Sequence, residues 1–335
     1  MKSASKHVIV AGGAGYVGSH TCLALARAGY IPVVYDNLSN GHRDFVQWGP
    51  FVEGDIQDTE NLAEAFQMYA PVGVLHFAAL IEVGESVKDP ISFYRNNVTG
   101  AISLIECAKT YGVPLVFSST CATYGTPAYL PMDEVHEQTP LNPYGRTKLV
   151  VEQALSDLRQ YSNYPSIALR YFNAAGADPE GRIGEWHEPE THAIPIALDN
   201  ALGIRSGFSI NGDDYETRDG TCIRDYVHVL DLAEAHVKAL ERLLDGHLGG
   251  AFNLGTGNGT SVRELVETIK SVTGKSFDVQ IAPRRMGDSP VLIANREKAE
   301  TELEWRPRRN ITEIITDAWN WHQKLRAKTH PDSLA

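Results

Sequence analysis

The sequence predicts an α/β fold: a doubly wound parallel sheet followed by a smaller C-terminal α/β lobe. Two observations carry this. Over the first half, short runs of Val, Ile and aromatic residues alternate with helical patterns, as a parallel sheet covered by helices on both faces requires. Gly12-Gly13-Ala14-Gly15-Tyr16-Val17-Gly18 directly follows the first of these runs and opens a helical pattern, and Asp36 closes the second run about 20 residues further on. Strand, glycine turn, helix and acid in that order mark a Rossmann-like dinucleotide fold.

In chain order, residues 7–11 form a short apolar strand and residues 17–28 a helix. Residues 31–35 form a strand that ends at Asp36. Further strands are expected at 51–55, 72–78 and 113–118, with helices at 61–69 and roughly 91–111. Another helix starts near Tyr144, where Asn142 suits the N-cap and Pro143 the first helical position. A sixth strand follows at 166–171. After Asn173 the texture changes: residues 174–190 are rich in Gly, Pro and acids and read as loop. Residues 226–244 read as a strand end and an amphipathic helix that returns to the first lobe. The tail, 326–335, is expected to fray. The expected partition is a nucleotide-binding lobe of 1–175 with about 220–245 returning, and a second lobe of 176–219 and 246–330.

Composition narrows the function. The 335 residues carry a formal net charge of −12, which argues against nucleic acid or an anionic membrane as partner. There is no run of 18 apolar residues to span a bilayer, and residues 1–6 lead into the first strand without a signal-peptide core. Cys22, Cys107, Cys121 and Cys222 show no paired spacing and read as free thiols of a cytoplasmic protein. No metal site is expected. His187, Glu188 and His192 lie close in sequence, but in a Gly/Pro-rich loop without the helical spacing of a zinc motif.

The glycine turn brings backbone N–H groups and the positive end of a helix to a pyrophosphate, which makes Gly12, Gly15 and Gly18 cofactor-binding candidates. Asp36 is placed to hold ribose hydroxyls and would repel a 2′-phosphate. NAD is therefore expected rather than NADP, with Arg43 the one nearby cation that could reverse the preference. Tyr144 and Lys148 are four residues apart and share a helix face. A phenol with a pKa of about 10 must be lowered by roughly three units, or about 4 kcal/mol, to act as a base near neutrality. The neighbouring ammonium is expected to supply part of that shift. Thr120, at the end of the fifth strand, is positioned to orient the reacting oxygen.

Many ordered blocks extend the pattern. They include GGAGYVGSHT at 12–21, DNLSNG at 36–41, EGDI at 53–56, HFAA at 76–79, NNVTG at 96–100, SSTCATYG at 118–125, PYGRTK at 143–148, LRYFNAAGA at 169–177, ETHAIP at 190–195, DGTCIRDYVHVLDLA at 219–233, NLGTG at 253–257 and APRRMGD at 282–288. With these, the chain resembles the extended short-chain dehydrogenase/reductase family in its branch of UDP-sugar 4-epimerases, from about residue 8 to 321. The resemblance implies a redox cycle at C4 of a UDP-hexose, UDP-galactose and UDP-glucose in the first instance. Tyr144 takes the 4-hydroxyl proton, hydride passes to NAD+, the 4-keto sugar presents its other face, and hydride returns. It implies cofactor contacts at Tyr16, Val17, Asn37, Asn40, Asp55, Ile56, Phe77, Ala78, Ala79, Asn97, Ser118 and Tyr171, besides Tyr144 and Lys148. It implies substrate contacts at Thr120, Asn173, His192, Phe208, Ser209, Arg224, Arg285, Asp288 and Leu292, with Arg224 and Arg285 on the diphosphate and the backbone of Phe208 and Ser209 on uracil. A homodimer paired through first-lobe helices is implied too.

Three departures from the family pattern stand out. Ile81 occupies a place where many relatives have a lysine on the cofactor. His192 stands where some have asparagine. Leu292, at the gatekeeper beside the sugar's 2-substituent, is intermediate in size and leaves N-acetyl sugars undecided; 4-epimerisation of UDP-N-acetylhexosamines, UDP-pentoses or UDP-uronates is the alternative reading. Two alternatives fit less well. A 4,6-dehydratase or a UDP-glucuronate decarboxylase carries an acid just after the Thr120 position, where this chain has Cys121 and Ala122. A protein that only senses NAD does not need Tyr144, Lys148 and Thr120 together.

Overall fold

The computed structural model describes residues 6–285 and 288–329. Its first lobe runs β1 (His7–Ala11), α1 (Tyr16–Arg27), β2 (Ile31–Asp36), β3 (Phe51–Glu53), α2 (Thr59–Tyr69), β4 (Gly73–His76), α3 (Val83–Lys88), α4 (Pro90–Phe93), α5 (Gly100–Thr110), β5 (Leu115–Thr120), α6 (Pro143–Ser162) and β6 (Ser166–Tyr171). There follow β7 (Asn173–Ala175), α7 (Ala193–Ala201), β8 (Phe208–Asn211), β9 (Ile223–Arg224), β10 (Tyr226–His228), α8 (Val229–Leu244), β11 (Gly249–Leu254), β12 (Thr260–Ser261), α9 (Val262–Thr273), β13 (Val279–Ala282), β14 (Val291–Leu292), α10 (Glu297–Glu302) and α11 (Ile311–Thr329).

Seven strands form one parallel sheet in the order β11-β6-β5-β4-β1-β2-β3. Alternate residues of each strand face opposite layers. Val8, Val10, Leu75 and Val116 pack with Cys22 and Leu25 of α1 and with Leu232, Ala235 and Leu240 of α8. Ile9, Val74, Leu115 and Phe117 pack with Leu62 and Phe66 of α2, Leu104 of α5 and Val151 and Leu155 of α6. The order reverses between β1 and β4, and in sheets of this kind ligands bind outside the carboxyl ends of the strands at that point. A further core under β8 joins Ile194, Leu198, Leu265, Ile269 and Ile314 of α7, α9 and α11.

The expected elements are present with shifted ends. β5 continues to Thr120 because Ser118, Ser119 and Thr120 stay paired with Leu169, Arg170 and Tyr171. The single helix expected over 91–111 is α4, a π-helical stretch at Tyr94–Thr99, and α5. Residues 249–254, expected in the second lobe, add the edge strand β11 to the large sheet by pairing with β6. Gly249 lies against β6 so closely that a Cβ there would sit 2.1 Å from the Ser166 carbonyl oxygen. The frayed-tail reading fails for residues 326–329, which continue α11. Arg326 there is buried and paired with Asp199, Nε to Oδ1 at 2.7 Å and Nη2 to Oδ2 at 2.8 Å. The rest of that tail, like Met286 and Gly287 of the APRRMGD block, lies outside the described residues.

Candidate active site

The glycine turn sits at the switch point. Gly12 has φ +79° and closes on β4's exit loop; a Cβ on it would lie 2.5 Å from the Ala78 nitrogen. A Cβ on Gly18 would lie 2.2 Å from the Gly12 oxygen, which fixes α1 against the turn. Gly15, the N-cap of α1, has no side-chain cap, and there is no acid in the first turn. The helix thus presents uncapped N–H groups of Tyr16, Val17 and Gly18 and a positive dipole end at the crevice. An anionic pyrophosphate fits this cradle.

At the end of β2, the buried Asp36 carboxylate accepts from Ala14 N at 3.0 Å and Leu38 N at 2.8 Å. Burial raises its pKa, and the two backbone donors work against the rise. Asn37 donates to Asp55 at 2.9 Å, and Ile56, next in the chain, is buried. Asn40 is exposed. Arg43 lies over the Phe51 ring at 4.5 Å. On the other wall, Asn97 clamps the loop that carries Phe77, Ala78 and Ala79: its amide accepts from Leu80 N at 2.8 Å and donates to Leu80 O at 2.9 Å. Ile81 in this loop brings no cation.

Thr120, Tyr144 and Lys148 meet at the carboxyl end of β5. Asn142 caps α6 by accepting from Gly145 N at 2.9 Å. Lys148 Nζ donates to Ser118 O at 2.9 Å and lies 6.0 Å from the centre of the Tyr144 ring. The Thr120 hydroxyl accepts from Ala122 N at 3.1 Å, so its proton is free to be donated. Tyr171 and Ser118 are joined through their hydroxyls. The expected lowering of the Tyr144 phenol by Lys148 is not realised by the chain alone. Burial, with a smaller push from Tyr171, raises the phenol well above its ordinary value, and the Thr120 hydroxyl only partly opposes this. Burial also brings Lys148 down to about 7, with the Glu152 carboxylate pulling the other way.

The second-lobe candidates fall on β7, β8, β9 and β14, at the N-cap of α7 and in the segment between β13 and β14. β9 pairs with β14 in a register that sets Arg224 beside Leu292. Arg224 donates to Ser289 O at 2.8 Å and stands 3.5 Å from Asp288. Asn173 N donates to Asp225 O at 2.9 Å, next to Arg224 in the chain. Phe208 is buried and Ser209 exposed in β8, and the Phe208 N–H donates to Asp278 O at 3.1 Å where β8 pairs with β13. Arg285 is exposed, and its carbonyl accepts from Asp288 N at 3.2 Å. His192, the exposed N-cap of α7, faces Glu185 and Glu190, each at 3.0 Å.

Three supporting features are not evident from sequence motifs. Glu152 continues the row Tyr144, Lys148, Glu152 down α6, a signal present in the i, i+4 spacing. Buried Asp225 accepts from Thr256 N and Ala294 N at 2.7 and 3.2 Å and ties β9 to the NLGTG loop. The third is a cluster of Glu185, His187, Glu190 and His192, whose donor atoms all lie within 4.8 Å of one another. The expected neighbour Glu188 is not part of it, because its carboxylate accepts from Trp186 Nε1 at 2.9 Å.

Residues 8–255 match the NAD dependent epimerase/dehydratase family. The chain belongs to this family. It is 61% identical to a UDP-glucose 4-epimerase of Rhizobium leguminosarum bv. trifolii over 322 residues, 96% of this chain and 98% of the relative. Among solved structures of the family it is similar to a UDP-glucose 4-epimerase from Brucella ovis in complex with NAD. The TM-score there is 0.93 at 50% identity, over 95% of this chain and 99% of that one. It is also similar to a UDP-glucose 4-epimerase from Bifidobacterium longum in complex with NAD+ and UDP, with a TM-score of 0.90 at 34% identity over 98% and 99% of the two chains. Among the described residues no helix is long and apolar enough to cross a membrane.

Proposed function

We propose that this protein interconverts UDP-galactose and UDP-glucose by reversible oxidation at C4, with NAD held in the crevice between β1 and β4. The observation that carries the reading is the meeting of Thr120, Tyr144 and Lys148 beside an uncapped, glycine-lined helix start. When bound, NAD supplies the hydride acceptor and a positive ring whose field favours the Tyr144 phenolate.

The chain's own groups do the rest. Tyr144 Oη takes the proton of the 4-hydroxyl and later returns it. Thr120 holds the same oxygen by hydrogen bonding, and Lys148 fixes the end of β5 through the Ser118 carbonyl. Asp36 receives ribose hydroxyls, and Arg43, engaged over Phe51, leaves no cation recruited for a 2′-phosphate. Arg224, Arg285 and Asn173 anchor the diphosphate, Asp288 the uridine ribose, and Phe208 and Ser209 the base. A firm grip on UDP and a loose one on the sugar let either face of the 4-keto sugar meet the same wall. Burial pushes the Cys121 thiol up to about 12, so it keeps its proton at neutral pH and offers no base for removing water across C5–C6.

Incubating the NAD-loaded protein with UDP-galactose and a coupling UDP-glucose dehydrogenase tests the reading. UDP-glucose is expected without added NADH, and its absence defeats the proposal. The same reading takes the protein as a cytoplasmic homodimer of galactose metabolism with two lobes. The four free cysteines support a reducing compartment, and gel filtration checks the dimer.

Substrate range turns on Leu292, which packs beside the Tyr124, Met132 and Phe172 cluster. Leu292→Tyr is expected to lower the ratio of UDP-N-acetylglucosamine to UDP-galactose turnover, and Leu292→Gly to raise it. A ratio unmoved by both variants removes Leu292 as gatekeeper.

A further inference from the structure

The loop between β7 and α7 gathers two imidazoles and two carboxylates. His187 Nδ1 lies 3.5 Å from Glu185 Oε1 and 3.7 Å from Glu190 Oε2. His192 Nδ1 lies 3.0 Å from Glu185 Oε1 and 3.0 Å from Glu190 Oε1. Zinc bonds imidazole nitrogen and carboxylate oxygen at about 2.0–2.2 Å, and a tetrahedron on such bonds has edges of about 3.3–3.6 Å. The four separations straddle that edge. One further observation points to a ligand. His187 Nδ1 is fully buried and makes no hydrogen bond, its two carboxylate neighbours lying at the long distances just given. The side chains of Glu185 and Glu190 are only 9% and 8% exposed, so the cluster is shielded from water.

The loop is braced from both sides, so the donors are preorganised. His42 stacks on Trp186 at 3.7 Å between ring centres, and Trp321 Nε1 donates to Glu185 O at 2.9 Å. We propose that Glu185, His187, Glu190 and His192 form a tetrahedral site for one divalent transition metal ion of the zinc class. Two neutral imidazoles and two carboxylates cancel the charge of such an ion, and the N2O2 donor set suits a borderline metal. The ion would staple the loop that leads into α7 at His192. The site abuts the cofactor turn, because the Tyr16 ring meets His187 edge-on at 6.3 Å. With no ion, the same four groups form an ion-paired cluster. Burial opposes charge on both rings, yet Glu185 and Glu190 hold His187 at about 9 and His192 at about 11.

The test uses the full chain, stripped with a chelator and titrated with Co2+ alone and with Zn2+ against a chromophoric competitor. The expected result is one ion per chain, with the intense visible bands of tetrahedral Co2+ and no near-ultraviolet thiolate charge transfer. His187→Ala and Glu190→Gln should each weaken Zn2+ binding more than about tenfold with circular dichroism unchanged. Glu190→Gln keeps an amide oxygen for the Thr191 and His192 N–H groups, which Glu190 receives at 2.8 Å each. If neither variant folds, the Co2+ spectrum of the parent decides. Octahedral or thiolate-ligated Co2+, no binding, or equal affinity in folded variants overturns the site and leaves an ion-paired cluster. None of these readouts depends on epimerase activity.

Discussion

Tyr144→Phe is expected to lower kcat for UDP-galactose by about a hundred- to ten-thousand-fold, the range of a positioned proton-transfer group. NAD content and UDP affinity should stay close to the parent's. The substitution removes one oxygen and leaves the ring, which belongs to the wall formed by α6 and the end of β5. It leaves the Lys148 bond to Ser118 and the Asn142 cap of α6 intact. Thr120 and Lys148 remain, so the sugar oxygen still has a donor but no acceptor for its proton. Stopped-flow turnover with UDP-galactose, together with NAD fluorescence and UDP calorimetry, separates the two effects. A variant with near-normal kcat places the base elsewhere. A variant that loses NAD shows that the hydroxyl holds the crevice together instead of moving a proton.

The first lobe was largely legible because its signals are local. Strand alternation, a glycine turn at the first switch, an acid at the end of β2 and an Asn-Pro helix start each act within a few residues of themselves. Hence β1, α1 and β2 lie where the sequence puts them, within a residue or so at their ends, and α6 starts within a residue of its expected start. β11 was not legible, because Gly249 and Gly250 disguise a strand whose identity comes from pairing with Ser166–Tyr171, more than eighty positions earlier. The titration of Tyr144 in the chain alone is not legible for a related reason. Helical spacing brings Lys148 onto the same face, but only the packed structure shows its ammonium spent on the Ser118 carbonyl and the phenol under a net upward push. The His and Glu cluster is the same lesson in a loop. Positions 185, 187, 190 and 192 have no metal-motif spacing, yet braces from Trp321 and His42 fold them around one point.

Loss of the Glu152 carboxylate is expected to cost the most stability of any change near the base. Glu152 and Arg170 are each 6% exposed and closely paired, with Nε 3.0 and 3.1 Å from the two oxygens and Nη2 at 2.6 Å. Ser119 donates to the same carboxylate, and Gln138 Nε2 reaches it at 3.2 Å. Glu152→Gln leaves a buried guanidinium uncompensated, and the unfolding free energy should fall by about 3–5 kcal/mol in urea titration. A double variant, Glu152→Gln with Arg170→Leu, should lose less than the two single losses added together, since no unpaired charge then remains. Strict additivity means that the pair is not coupled. The change also reaches the base. Glu152 raises the pKa of Lys148, which burial has brought down to about 7. Without the carboxylate the ammonium loses its proton at lower pH. The positive charge that Lys148 carries 6.0 Å from the Tyr144 ring is then present only below that lower pKa. The alkaline fall of kcat in folded Glu152→Gln should therefore move toward acid. An unmoved or alkaline-shifted limb assigns that fall to a group other than Lys148.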